Sequence, residues 1–462
     1  MKDLTANLAY ESHSLTPGGH RLAPLEQLGL ALCGVGFMVL LAGYFTASDV
    51  SSGVRAIWLG LAWGGVVSGT LLYGLHKHLS ENAGVRNHGK TTESLTARGA
   101  LGWILAVLLT AFYVVLYWFP EMFGGITRLH DPLSQALRGR PADHWFLYGT
   151  AYTVGTTIMG AKALAKYRHS RYQVVRTLVI MASQLVMAYL LPGFLASINQ
   201  PEAYLTYFWP LAYENLFPGS IQGLMNRGAF GTFVVAWSFI SIFVATPILT
   251  YFYGKRWYCS WVCGCGGLAN TVGDSFRQIS DKSLRAWQVE RYTVYGVLVF
   301  IVLVTGLLWL EPYMPAYMHE PLYMLRKTYG FLIGMVLAGV VGVGAYPLMG
   351  TRVWCRFFCP MAAVLGIIQR FFSRFRITTN GGQCISCGNC SKYCEMGIDV
   401  RSYAQRGENI VRASCVGCGV CATVCPRGVL SLENGPTEDR LKGYTAPTQP
   451  VITKSVKRVA MR

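Results

Sequence analysis

A chain of 462 residues that is 52% hydrophobic and only 13% charged, with a mean hydropathy of +0.35, is too charge-poor for an ordinary soluble domain and belongs in a bilayer. Its net charge of +18 does not mark a nucleic-acid binder: the Lys and Arg residues share no periodic face but fall between long apolar runs, where the positive-inside bias places them. Thirteen of the fourteen cysteines lie downstream of residue 258, closely and regularly spaced with no oxidising-compartment signal, which points to metal ligation over disulfides.

Residues 1–25 read as a polar cytoplasmic segment without the basic-then-apolar pattern of a removable signal peptide, so targeting is expected through the membrane helices. A spanning helix needs about 20 mostly apolar residues. Eight runs qualify: 26–47, 56–75, 100–120, 145–165, 174–196, 229–254, 293–313 and 328–350. Lys77, Arg86, Lys90 and Arg98 follow the second run, Lys166, Arg168 and Arg171 the fourth, and Lys255, Arg256, Arg277, Lys282, Arg285 and Arg291 the sixth. The alternating connections hold Arg55 alone, Arg227 alone, or Arg128, Arg138 and Arg140 diluted by Glu121, Asp131 and Asp143. This asymmetry predicts a multi-pass protein of the bacterial cytoplasmic (inner) membrane, with both termini cytoplasmic. The fold class expected is an all-α polytopic membrane protein carrying a small α+β two-cluster ferredoxin domain at its C-terminus. Its parts are a five-helix membrane region over 26–228, a three-helix core over 229–376, the ferredoxin domain over 377–435 and a basic tail over 436–462.

The outer loop 197–228 carries Tyr204, Tyr207, Phe208, Trp209, Tyr213 and Phe217. Interfacial anchoring is the expectation for such a loop, with a partner or quinone surface as the alternative. Further on, Arg256-Trp-Tyr-Cys259-Ser-Trp-Val-Cys263 and Arg352-Val-Trp-Cys355-Arg-Phe-Phe-Cys359 repeat one pattern, each directly after a span. Helices six to eight therefore contain a duplicated unit.

The strongest signal is Cys384-x-x-Cys387-x-x-Cys390-x-x-x-Cys394, followed by Cys415-x-x-Cys418-x-x-Cys421-x-x-x-Cys425-Pro426. Three closely spaced thiolates wrap one corner of a cubane and the fourth reaches the other cluster, which is why the motif comes in pairs. Cys384, Cys387, Cys390 and Cys425 are assigned to one 4Fe-4S cluster, and Cys415, Cys418, Cys421 and Cys394 to the other. Zinc ribbons also use Cys-x-x-Cys pairs, but the third cysteine at the same step and the fourth after three residues argue against zinc. Glu395 stands where this motif usually has Pro. A carboxylate there would disfavour the more negative reduced state and lower that cluster's potential, so two inequivalent clusters are predicted.

Cys259 with Cys263 and Cys355 with Cys359 are each four apart, a spacing that on a helix puts both thiols on one side. Two such pairs, with Cys265 as a fifth thiol, predict a redox site or an additional cluster or metal; buried packing cysteines are the alternative. Cys33, alone in the first span, reads as packing.

These features, Arg-x-Trp-Cys355-x-x-x-Cys359-Pro360 after a span, its degenerate twin at Cys259 and Cys263, and the paired ferredoxin run, resemble the polyferredoxin-like membrane proteins of the NosR and NapH type over residues 229–435. The resemblance implies a helical core that delivers electrons between quinol or cytoplasmic donors and a partner enzyme, often periplasmic. It does not account for the five upstream helices. Proteins of the NosR type also carry flavin on a Thr; the nearest string here, Ser68-Gly69-Thr70, lies inside helix two, so no flavin is expected. No haem is expected either, because the spans hold no deep His: His76 and His78 end helix two, and His130, His144 and His319 lie in or beside outer loops. Glu121, Glu311, His319 and Glu320 read as solvated loop residues.

The leading reading is an electron-transfer subunit, more than a stand-alone enzyme, working between cytoplasmic clusters and a quinone pool or a membrane or periplasmic oxidoreductase. The alternative is a maturation or regulatory factor that reduces metals or thiols of another enzyme. A transporter is disfavoured because the spans lack buried charge of the kind that marks ion paths, and Lys162 can snorkel.

Overall fold

A computed structural model of the chain describes residues 23–79, 99–380 and 383–435. The N-terminal polar segment, the loop basic residues Arg86, Lys90 and Arg98, and the C-terminal basic tail lie outside the described residues.

Eight long helices are present among the described residues: α1 (Pro24–Thr46), α2 (Ser52–Leu79), α3 (Ala100–Trp118), α4 (His144–Lys166), α5 (Arg171–Ser197), α6 (Ala229–Tyr253), α7 (Leu284–Tyr313) and α8 (Ala316–Val341). Local chemistry sets their starts. Pro24 opens α1 where its missing amide costs nothing, Asp143 caps α4 by accepting from the Phe146 amide at 2.7 Å, and Ser283 caps α7 by accepting from Ala286 at 3.2 Å. Their outward faces are large and apolar, with Phe37, Met38, Phe45, Phe243 and Val299 exposed.

Seven of these helices are long and apolar enough to cross a membrane, one fewer than the eight runs predicted. The exception is α4, expected as a span over 145–165. It forms a 23-residue helix, yet Thr, Tyr and Lys dilute its apolar character. The reason is its position: Thr150, Thr153, Thr156, Ile158 and Gly160 are buried, so neighbouring protein supplies surroundings that lipid supplies elsewhere. The last predicted run, 328–350, is also displaced. α8 starts at Ala316 and ends at Val341, before Gly342 and Gly344, which weaken helix, and a separate turn forms at Tyr346–Met349. α1 and α2 pack through small residues; a Cβ at Gly36 would lie 2.6 Å from the Ala62 carbonyl oxygen. Cys33 sits in this contact with its sulfur 3.7 Å from Thr70 Oγ1.

Connections sort to two ends of the bundle. At one end Arg168 donates to the His78 carbonyl at 2.7 Å, Tyr172 to the Gly417 carbonyl at 2.8 Å, Lys255 to the Ala413 carbonyl at 3.0 Å and Gln369 to the Cys415 carbonyl at 2.8 Å. At the other, Arg55 pairs with Asp131 at 2.9 Å and Arg138 with Glu202 at 3.3 Å, and Trp309 donates to the Leu216 carbonyl at 2.9 Å. Loops that differ in basic content thus also part in space.

Two expectations need correction. The aromatic loop 197–228 is folded partly into the bundle and does not lie wholly at its edge: Phe208 and Phe217 are buried, the Trp209 indole donates to Thr305 Oγ1 at 3.2 Å, and the Thr206 carbonyl accepts from the Tyr258 hydroxyl at 2.7 Å. The Trp209 indole thus finds its partner inside the bundle, while Tyr204 stays exposed. Charges are also buried within helices, at Arg176 of α5 and Glu290 of α7. Both pair at the end where the C-terminal segment docks, Arg176 with the Cys418 carbonyl at 2.6 Å and Glu290 with Arg356 at 2.8 Å. Lys162 is likewise turned inward, donating to Ser275 at 3.4 Å.

After α8, the helix α9 (Pro360–Phe371) leads to β1 (Arg376–Thr379), which pairs antiparallel with β2 (Leu430–Glu433) in the register Arg376 to Glu433. The two strands close a loop of chain that contains both cysteine runs.

Candidate cluster sites

The C-terminal segment is built twice. Left-handed residues recur 31 positions apart, at Ser386 and Gly417, Gly388 and Gly419, and Gly397 and Gly428. Gly388 and Gly419 each precede a one-turn helix, Asn389–Lys392 or Val420–Thr423, that carries the third cysteine of its run. This geometry curls the backbone around each set of thiols, which glycine allows without strain. Cys384, Cys387, Cys390 and Cys425 line one cavity. On the other side burial pushes the Cys394 thiol up to about 12, with Cys418 and Cys415 adding to the rise, and Cys421 is raised by burial and then by Cys418, Cys394 and Cys415. The fourth cysteine of each run therefore lies with the first three of the other. Crowded thiols of this kind, from buried Cys390, Cys415 and Cys421 to exposed Cys387, fit an iron-sulfur cage, whose cationic iron stabilises the thiolates. Among the described residues no three Cys, His, Asp or Glu side chains close on a single metal ion.

The juxtamembrane cysteines meet differently from the helical pairing expected. Cys259 ends the one-turn helix Arg256–Cys259, and Cys263 caps the next, Gly264–Asn270. Cys355 lies in the wide turn Trp354–Phe358, and Cys359 caps α9. Neither pair shares a helix face, because each second cysteine adopts an extended backbone ahead of a new helix, one of them opened by Pro360. All four are nevertheless buried in one cluster, with Cys265 packed against it. Cys259 is pushed up to about 12, chiefly by burial, while the hydrogen bond between Cys265 and Cys263 lowers the Cys263 thiol and raises that of Cys265.

Between the two sets of cysteines lies a buried charge network that the sequence showed only at Glu395. Arg277 donates to Glu395 Oε2 at 2.5 Å, to Asp274 Oδ1 at 2.7 Å and to Asn270 Oδ1 at 3.0 Å. Arg352 pairs with Glu395 Oε1 at 3.0 Å, and its Nη1 donates to the Cys259 carbonyl at 3.0 Å and lies 3.6 Å from the Cys355 sulfur. Burial raises the Glu395 carboxyl, but Arg277, Arg352 and Arg176 outweigh it and hold the group below its usual range. Glu395 is thus no bare charge beside a cluster, and the lowered potential expected from it is offset by arginines that outnumber it. The repeat could have flagged Arg352, since Arg256 is its counterpart; yet Arg256 stacks on Phe375, 4.9 Å from the ring centre, instead of joining the network.

A cavity of about 600 Å³ opens toward the other end of the bundle, walled by Trp145, Tyr148, Tyr152, Tyr204, Tyr207 and Trp237. Its inner end abuts the cysteines: the Tyr152 hydroxyl donates to the Gly264 carbonyl at 2.7 Å, and a Cβ at Gly264 would strike the Tyr207 hydroxyl. In α5 a π-helical stretch, Ser183–Leu190, turns Gln184 toward the same loop, where it donates to the Val262 carbonyl at 2.8 Å. Elsewhere His130 is buried and accepts from the Trp63 indole at 3.0 Å, and His319 pairs with Glu311 at 3.0 Å in the exposed loop.

Comparison with known proteins agrees with this geometry. Residues 383–430 match the family model of a 4Fe-4S dicluster domain, and the two duplicated units, 235–283 and 332–378, each match that of a 4Fe-4S binding domain. The chain is 28% identical over 168 residues to the putative electron transport protein YccM of Escherichia coli (strain K12), covering 33% of this chain and 44% of the relative. It is 26% identical over 250 residues to the methylamine utilization ferredoxin-type protein MauN of Methylobacillus flagellatus, covering 52% of this chain and 80% of the relative. The chain thus spans under half the length of the first relative and four fifths of the second. No solved structure matches. The chain carries two 4Fe-4S clusters.

Proposed function

We propose that this chain is a membrane-bound electron-transfer subunit, of the NosR and NapH type, that passes electrons between its dicluster segment on the cytoplasmic face and a quinone pool or a membrane or periplasmic oxidoreductase. The clusters supply one-electron chemistry at thiolate-ligated iron. In this reading Cys384, Cys387, Cys390 and Cys425 hold one of them and Cys415, Cys418, Cys421 and Cys394 the other. The observation that carries the reading is the buried group of Cys259, Cys263, Cys355 and Cys359, joined to Glu395 beside Cys394 through Arg352 and bounded on its far side by the aromatic cavity. That order suits a relay from the dicluster segment through a third centre to a quinone headgroup, for which Tyr152, Gln184 and Tyr207 offer polar contacts among rings. Positive-inside sorting of the loops supports the sidedness.

A second reading, a maturation or regulatory factor that reduces metals or thiols of a partner enzyme, is favoured by one observation. Cys263 and Cys265 form a hydrogen-bonded pair of thiols, and the bond from Cys265 lowers Cys263, the direction that thiol exchange favours.

Iron and acid-labile sulfide counted on anaerobically purified protein separate the two. The relay predicts more than the roughly eight irons of two 4Fe-4S clusters, with the excess lost in C259S/C355S and with rapid cluster reduction by a short-chain quinol lost in the same variant. About eight irons, with Cys259, Cys263, Cys355 and Cys359 open to alkylation and cycling to disulfides, would establish the thiol reading instead.

A further inference from the structure

A second cavity, of about 340 Å³, lies at the dicluster end of the bundle between α7, α9 and the loop 412–414. Five cations line it, Lys255, Arg291, Arg356, Arg370 and Arg412, against one carboxylate, Glu290. That carboxylate is already committed to Arg356 at 2.8 Å. Lys255 is buried and donates to the Ala413 carbonyl at 3.0 Å. Arg291 and Arg412 stack on Trp287 at 5.1 and 5.0 Å, and Arg370 sits over Phe371 at 5.8 Å. Among the described residues none of these three arginines has an ion-pair partner. Lys255 and Arg356 are buried, Arg412 is half-buried and Arg291 and Arg370 are exposed at the mouth, and like charges gathered this closely repel one another and favour a counter-anion.

We propose that this cavity seats the phosphate oxyanion of an anionic membrane phospholipid. The chemistry wanted is that of a phosphodiester, planar guanidinium forks facing oxyanion oxygens. A lipid is the source that the walls favour. Val294 and Ile367 make one side apolar, and Ile367 and Phe371 of α9 are exposed beside Tyr292 and Phe372, so acyl chains can leave the pocket along the outer faces of α7 and α9. A basic pocket between membrane helices, at the level where positively charged loops meet the headgroups, is where such lipids bind. The headgroup would bear on Cys355 and Arg356, both in the cavity wall, and so place a fixed negative charge beside the juxtamembrane cysteines.

The test uses the full chain, purified in detergent and washed, then placed in nanodiscs of phosphatidylcholine with or without cardiolipin or phosphatidylglycerol. Native mass spectrometry reads the retained phospholipid. Wild type is expected to hold back at least one anionic phospholipid per chain. R291Q/R412Q should weaken retention about fivefold for each arginine removed, and R291K/R412K, which keep the charge but not the fork, should recover only part of it. R370Q alone, at an exposed position, serves if the double variant folds poorly, and unchanged iron content certifies each sample. Equal retention by wild type and the Gln variants overturns the proposal. Displacement of the lipid by millimolar inorganic phosphate overturns it too, since the pocket would then be a soluble-anion site.

Discussion

Replacing Arg277 by Leu should loosen the dicluster segment from the helical bundle and cost the protein about 3–5 kcal/mol of stability, the scale for removing one partner of a buried ion pair. Arg277 is fully buried and serves three acceptors at once, on Asp274, Glu395 and Asn270. Its loss strands Glu395, whose side chain is also 0% exposed, with Arg352 as the remaining close cation. Lysine should not rescue, because a point charge cannot reproduce a fork that meets Asp274 through Nε and Glu395 through Nη1. Thermal unfolding followed by helical circular dichroism and by cluster absorbance would show the bleach moving to lower temperature than the helical transition. A variant that melts as wild type does, with both signals together, would remove the network from any docking role.

The same network should make stability acid-sensitive. Burial raises the Asp274 carboxyl, but Lys166 and Arg277 overcome it and hold it well below the ordinary carboxylate range. A carboxylate depressed on folding contributes stability that is complete above its unfolded value, about 4, and is lost as pH falls through the folded value. Wild type should therefore exceed D274N in unfolding temperature at neutral pH, and the gap should narrow only below about pH 4. A gap already closing between pH 7 and 5 would contradict the assignment.

How much of this could be read from the sequence depended on the range of the interaction. The eight cysteines at 384–425 announce themselves because ligand spacing around a cubane is local, and the duplicated Arg-x-aromatic-Cys-x-x-x-Cys units are visible for the same reason. The convergence of Cys259, Cys263, Cys355 and Cys359 was legible, but not its manner: period-based reasoning put each pair on a helix, whereas the second cysteine of each starts a new one. α4 was found by length and general apolarity, yet nothing in its sequence says that protein surrounds its threonines. Glu395 stood out as a departure from the motif, and its meaning was missed because its partner Arg277 lies 118 positions away. Arg176, well apart in sequence from Cys418, gave no local sign at all.

Charge substitutions around the second set of cysteines should move one cluster potential in opposite directions. Glu395 follows Cys394, and Arg176 donates to the Cys418 carbonyl at 2.6 Å from a fully buried position. Each reduction adds a negative charge to a centre already made anionic by its thiolates, so a nearby cation favours the reduced form and a nearby anion opposes it. Glu395→Gln leaves Arg277 and Arg352 in surplus and should raise the midpoint; Arg176→Gln should lower it. One unit charge a few ångströms away, at an effective dielectric near 20, corresponds to a shift on the order of 100 mV for a one-electron couple. A cluster held, as proposed, by Cys384, Cys387, Cys390 and Cys425, which line a separate cavity, should shift far less, so a redox titration of either variant should displace one wave of two. Shifts of the same sign in both variants would mean that the substitutions act by admitting water. Two identical midpoints in the wild type would refute the inequivalence from which the prediction starts.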